Sequence, residues 1–195
     1  MALLREIYYH IRYFPVLILY WTCPEELRAV IREDYCQAEY TRFIDAFVGN
    51  CGFRNLFYCR VQHGVLYGVC KKIAPYWPQI EIGINDGIGK GLVIYHNRGA
   101  NINARSIGEY CYVYQGVTIG KGRQTKLGIR PVIGSHVRIC TNAVVVGGIR
   151  IGDNSTIGAG AVVVHDVPPN AVVGGVPAKV LYYRDEKESD SYSKE

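Results

Sequence analysis

The sequence predicts an α+β chain. A helical region, residues 1–79, precedes a parallel β-helix of hexapeptide units, residues 80–183, and a disordered polar tail, 184–195. Two observations carry this. Up to residue 75, apolar side chains recur at helical spacing. From residue 82 they keep a period of six, which neither a helix at 3.6 nor a flat strand at two produces. Ile133, Ile139, Val145, Ile151, Ile157 and Val163 are each six apart.

In the first region, Thr22 with Pro24 and Glu25 behind it reads as a capped helix start. Leu27, Val30, Ile31 and Tyr35 follow at helical spacing. A second segment, Tyr40 to Val48, stops at Gly49-Asn50-Cys51-Gly52. A third begins near Phe53 and runs through Leu56, Cys59, Val61 and Leu66. Pro75 and Pro78 end the helical regime.

In the second region, Ile82, Ile88 and Ile94 form one in-phase set, and Ile107, Val113 and Ile119 another. The phase slips at 100–106, and an insertion occupies Lys121 to Val132. Each leading aliphatic points into the coil. Four residues further on, Val137, Ala143, Ile149, Ser155, Ala161 and Val167 supply a second, small or β-branched inward position. Gly83, Gly89, Gly108, Gly134, Gly152 and Gly158 suit a tight corner with backbone close to backbone. Three hexads make one coil of about eighteen residues, so 133–150 and 151–168 are complete coils. The helical region covers one open end, and 169–183 lies at the other.

Composition narrows the class. Of 195 residues, 49% are hydrophobic and 20% charged, which is globular. The apolar run Tyr13–Trp21 is short for a bilayer span and contains Pro15, and no secretory cleavage pattern follows it. The expectation is a cytoplasmic protein. The aromatic stretch Tyr8, Tyr9, Tyr13, Phe14, Tyr20 and Trp21 packs on the coil or a partner in the preferred reading. Contact with the inner face of the membrane is the alternative. Cys23, Cys36, Cys51, Cys59, Cys70, Cys111 and Cys140 contain no C-x-x-C pair, so they read as free thiols in a reducing compartment, with no metal. The net charge is +5; the tail carries −2 and the rest +7, which favours acidic ligands such as phosphate esters. No dense Lys/Arg stripe with interleaved aromatics points to nucleic acid.

Several motifs occur in order: Gly91-Leu-Val-Ile-Tyr-His96-Asn-Arg-Gly99, Gly116-Val-Thr-Ile-Gly120, Ile157-Gly-Ala-Gly-Ala-Val-Val163, Asp166-Val-Pro-Pro-Asn170 and Gly174-Gly-Val-Pro-Ala-Lys179. Together they resemble the hexapeptide acyltransferases, over about residues 80–182. The branches most alike are serine O-acetyltransferase and the O-acetyltransferases of capsular and surface polysaccharides. The resemblance implies a left-handed β-helix, a homotrimer with active sites between subunits, and acetyl-CoA as donor.

Acetyl transfer to an alcohol needs a base for the hydroxyl, stabilisation of the thioester oxygen and a grip on the CoA arm. His96 matches the family's catalytic histidine in the pattern aliphatic-x-His-x-x-Gly. It stands third in its hexad, where a side chain need not fill the core. Glu81, fifteen residues earlier, stands where serine acetyltransferases place an Asp, and it would hold the imidazole tautomer. His10, His63, His136 and His165 lack this setting and read as structural or exposed. By family position, Thr141 and Ala159 follow the pantetheine arm and Lys179 meets the nucleotide phosphates. The Lys121–Val132 insertion would project over the site.

Two departures bear on the acceptor. Tyr95 stands where serine acetyltransferases carry Asp, and Ile129-Arg130-Pro131 where they carry Arg-His-Pro. A free amino acid needs partners for its carboxylate and its ammonium group. A sugar needs neither, so the expected acceptor is a sugar or surface polysaccharide hydroxyl, with Tyr95 and Arg130 as acceptor contacts. Serine O-acetyltransferase is the alternative.

Overall fold

The computed structural model describes residues 2–62, 64–83, 87–96 and 98–184. Six helices come first: α1 (Ala2–Arg12), α2 (Phe14–Thr22), α3 (Glu25–Gln37), α4 (Phe43–Gly49), α5 (Cys51–Arg60) and α6 (Val65–Ile73). An aromatic core joins them. Tyr20 stacks on Phe43 at 4.3 Å and 12°, and Phe57 meets Phe43 and Phe47 edge to face. Such pairs stabilise beyond the area they bury.

Local signals missed two boundaries. Thr22 ends α2 instead of capping α3; its hydroxyl donates back to Leu19 O, and Pro24 occupies the N-cap without a side-chain bond. The segment from Phe53 to Leu66 is two helices, because Gly64 adopts φ +102° and breaks the path. The Asn50 carboxamide accepts from Phe53 N and caps α5. The tail beyond Arg184, and His63, lie outside the described residues.

The rest is a parallel β-helix with three sheets. The first, S1, stacks β1 (Ile80–Ile82), β3 (Ala100–Ile102), β6 (Thr118–Gly120), β9 (Val144–Val146) and β12 (Val162–Val163). The second, S2, stacks β4 (Ser106–Ile107), β7 (Val132–Ile133) and β10 (Arg150–Ile151), extended by bridges at Ile88 and Val167. The third, S3, stacks β2 (Val93–Ile94), β5 (Tyr112–Val113), β8 (Arg138–Ile139), β11 (Thr156–Ile157) and β13 (Ala171–Gly174). β14 (Lys179–Tyr183) then pairs antiparallel with β13.

The six-residue series visits S2, S3 and S1 in turn, and all its members are buried, as are the second inward residues from Val137 to Val167. Burying this lining is the main drive for the coil. The 18-residue repeat is met where Val132 pairs with Arg150 and Val144 with Val162. Glycine is required where coils touch: a Cβ on Gly89 would lie 2.5 Å from the Gly108 carbonyl carbon, and one on Gly108 2.5 Å from that of Gly134. The phase slip has a local cause. Ile94 to Ile102 spans eight residues, where Val113 to Ile119 and Ile139 to Val145 span six. The corner carrying His96 is therefore two residues longer than those stacked on it.

The helices grip the first coil through polar anchors. Arg60, at the end of α5, donates to both carboxylate oxygens of Asp34 (2.6 and 2.9 Å) and to the carbonyls of Ile88 and Gly89 (3.0 and 2.7 Å). Asp34 accepts from Gly91 N at 2.8 Å and is 1% exposed. Burial pushes its carboxyl above the ordinary value, against the downward pull of Arg60. Asn55 bonds Trp77 N, Trp77 O and Ile80 O, fixing the chain as it enters β1. Leu56 of α5 plugs the coil's apolar core.

Candidate active site

The site is built on the corner where each coil passes from S3 to S1. Two residues beyond the inward Ile94, Val113, Ile139 and Ile157 stand His96, Gln115, Thr141 and Ala159. Gly116 N bonds Arg98 O, and Asn142 N bonds Gln115 O, so the ladder stacks Arg98, Gln115 and Thr141, with Ala159 one 18-residue repeat further on, while His96 stands two residues ahead of Arg98 in the longer first corner. The Thr141 carbonyl accepts from Gly160 N, so its position is fixed by the coil ladder. Lys179 opens β14 opposite Gly174, at the far end of the same sheet.

His96 is exposed and has φ +61°, in the left-handed region that few non-glycine residues adopt. Beside it lies an aromatic platform. Tyr95 stacks on Tyr112 (6.0 Å, 8°) and on Tyr114 (5.0 Å, 28°), and the His96 ring lies 6.3 Å from Tyr114. Arg138 covers Tyr112 at 5.5 Å, and Gln37 of α3 donates to the Tyr112 hydroxyl. Burial raises the phenol pKa of Tyr95 and Tyr112, so both stay neutral near pH 7. Sequence reasoning missed Tyr112, Tyr114, Gln37 and Arg138. The alternation Tyr112-Val113-Tyr114, one inward residue between two outward rings, carried the signal for the tyrosines.

Other assigned residues are not brought together in one chain. Glu81, on β1, is hydrogen-bonded by Asn101 Nδ2 at 3.2 Å, and among the described residues no hydrogen bond joins it to His96. Arg130 and the Lys121–Val132 insertion lie between S1 and S2, on a different edge from His96. Within the insertion Gly122 N bonds Ile129 O, and Gly148 N of the next coil bonds Arg123 O, which holds the loop along the S1–S2 edge. Arg130 Nε is buried with no hydrogen-bond partner among the described residues. His136 stacks on Tyr110, and His10 and His165 are exposed. A cleft of about 380 Å³ lies on S2 between Val132 and Pro169, away from the His96 corner. All seven cysteines are free thiols. Among the described residues, no group of three His, Cys, Asp or Glu side chains is placed to share a metal ion.

A three-sheeted hexapeptide coil with an exposed corner histidine defines the hexapeptide transferase class, and the bacterial transferase hexapeptide (six repeats) family matches residues 130–165. A serine acetyltransferase of Bacillus subtilis is 30% identical over 84% of this chain and 77% of its own length. One of Synechococcus elongatus is 42% identical over 53% of this chain, which spans only 43% of that relative. Among solved structures, soybean serine acetyltransferase complexed with serine superposes with a TM-score of 0.68 at 26% identity, over 87% of this chain and 74% of that one. The Brucella abortus serine acetyltransferase in complex with Coenzyme A gives 0.64 at 27%, over 82% and 67%. The chain belongs to the serine acetyltransferase family of hexapeptide transferases, and so to the acetyl-CoA-dependent O-acetyltransferases.

Proposed function

We propose that the chain transfers the acetyl group of acetyl-CoA to the hydroxyl of L-serine, with His96 as general base. The observation that carries this is the alignment along most of the chain with a serine acetyltransferase, joined by a fold neighbour solved with serine. These relatives favour serine over the sugar acceptor expected from Tyr95 and Ile129. In this reading the His96 imidazole takes the proton of the serine hydroxyl as its oxygen attacks the thioester carbonyl carbon. The tetrahedral intermediate collapses, expelling the CoA thiolate, which recovers the proton from the imidazolium. O-acetylserine and CoA leave. A positioned base contributes about 10²–10⁴-fold. Glu81 steadies the imidazolium once it turns from Asn101. Thr141 and Ala159 border the pantetheine arm along the corner stack, and Lys179 meets the phosphates at its far end.

The reading includes a homotrimer. His96 and Arg130 stand on different edges of one coil, so only a neighbouring copy can bring its Arg130 to this His96. It places the reaction in the cytoplasm, where the donor is made.

A second reading keeps a sugar hydroxyl as acceptor. It is favoured by the Tyr95, Tyr112 and Tyr114 rings, whose faces suit the apolar side of a pyranose, and by the absence of a carboxylate at position 95. One experiment separates the two: release of free CoA from acetyl-CoA with L-serine or with a panel of glycans. Turnover on serine that collapses in His96→Ala, with fold and assembly intact, is expected. Turnover on a glycan alone would move the assignment to the second reading, and full activity in His96→Ala would overturn both.

A further inference from the structure

Helices α1 and α2 follow one another as a rod with only Tyr13 between them, and Pro15 sits in the first turn of α2. Along it Leu4, Ile7, Ile11, Phe14, Ile18 and Trp21 recur at alternating spacings of three and four. They are 39–72% exposed, and Tyr8 beside them is 50% exposed. This stripe is not left over from packing the chain's own core. The opposite face of the rod already supplies Tyr13, Val16, Leu19 and Tyr20 to the helical core. Glu6 of α1 reaches Arg42 of the body at 2.5 Å. The rod thus turns polar and core contacts inward and an aromatic-aliphatic face outward. A helix apolar on both faces needs a second apolar surrounding. Packed beside α2, α6 adds Val65, 89% exposed, and Val69.

The charges around this face indicate its occupant. Arg12 closes α1, whose first turn holds no acid, and Glu6 shares Arg42 with Asp45. Lys72 is exposed at the end of α6, and Arg28 lies 5.4 Å over the Trp21 ring. Glu25 and Glu26 oppose these at the Trp21 end. Exposed Trp, Tyr and Phe bordered by cations match the boundary between lipid headgroups and acyl chains. No helix among the described residues is long and apolar enough to cross a membrane, so the rod would lie on one.

We propose that the outward face of α1–α2 docks the protein on an anionic lipid surface, with Leu4, Ile7, Ile11, Phe14, Ile18 and Trp21 entering the headgroup boundary. This stands on the helices alone and holds whichever acceptor is used. The test is flotation of the full chain with phosphatidylcholine vesicles, with and without phosphatidylglycerol, beside the variant Ile11→Gln/Phe14→Gln. The wild type should float with the anionic vesicles, less with neutral ones and less at high salt. The variant should lose at least about tenfold in vesicle affinity, with unchanged circular dichroism and acetyl transfer. Wild-type protein left at the bottom of both gradients would overturn the proposal, as would equal flotation on neutral vesicles or undiminished flotation of the variant. A fall in particle mass caused by the two substitutions would also overturn it, by making a second copy the occupant.

Discussion

Replacing Asp34 by Ala tests how the helices hold the coil. The side chain is 1% exposed, and its loss removes both Arg60 bonds and the acceptor for Gly91 N. Arg60, whose side chain is 8% exposed, is left as a buried charge without its counterion. Breaking one partner of such a pair destabilises by about 3–5 kcal/mol. With a urea slope of about 2 kcal/mol per molar, the midpoint falls by roughly 2 M. The informative comparison is Asp34→Leu/Arg60→Met. Swapping a buried pair for apolar residues is often neutral. Here Arg60 also satisfies Ile88 O and Gly89 O, so the swap orphans two carbonyls and one amide of the first coil. Each orphan is worth about 1–3 kcal/mol, and the double variant should stay at least ~3 kcal/mol below wild type. Urea unfolding followed by circular dichroism reads both. A double variant within about 1 kcal/mol of wild type would refute the idea that this pair caps the coil and does more than fill space.

Further outcomes follow from particular positions. Gly108→Ala should destabilise by at least ~2 kcal/mol, since its Cβ would meet backbone 2.5 Å away. Gly120→Ala, with nothing within 4 Å of its Cβ, should be near neutral, and urea unfolding reads both. Burial pushes the Cys111 thiol up to about 12. It should therefore resist a thiol-reactive dye at pH 8 while exposed Cys36 reacts. Above the ordinary thiol range the unfolded chain releases this proton and the native state keeps it. Stability should then fall with rising pH by about 1.4 kcal/mol per unit from this group. Denaturation between pH 9 and 11 should show a shallower decline for Cys111→Ala than for wild type.

The coil was legible because its lining is strictly periodic: each sixth aliphatic has one place to go. Glycine contacts between coils were legible for the same reason, since a repeated spacing implies a repeated approach. Helix ends were less so. The Thr22-Pro24-Glu25 pattern satisfies a capping rule, yet the hydroxyl found a nearer acceptor in Leu19 O. The exposed corner position of His96 was legible because its motif is local in sequence. The tyrosine platform and the Asp34–Arg60 anchor join residues 17 to 26 positions apart, and no local pattern reports such pairs. Arg130 stands on a different edge of the prism from His96, a separation that a linear series of motifs does not reveal.

The coil is closed differently at its two ends. A parallel stack with a bare final strand is a template onto which other chains can add without limit. Here the first coil is plugged by Leu56 of α5, and the last ends in β14, whose reversed direction breaks the parallel pattern. Growth into fibrils is thus blocked at both terminations, and a chain truncated before Lys179 would present an unguarded edge.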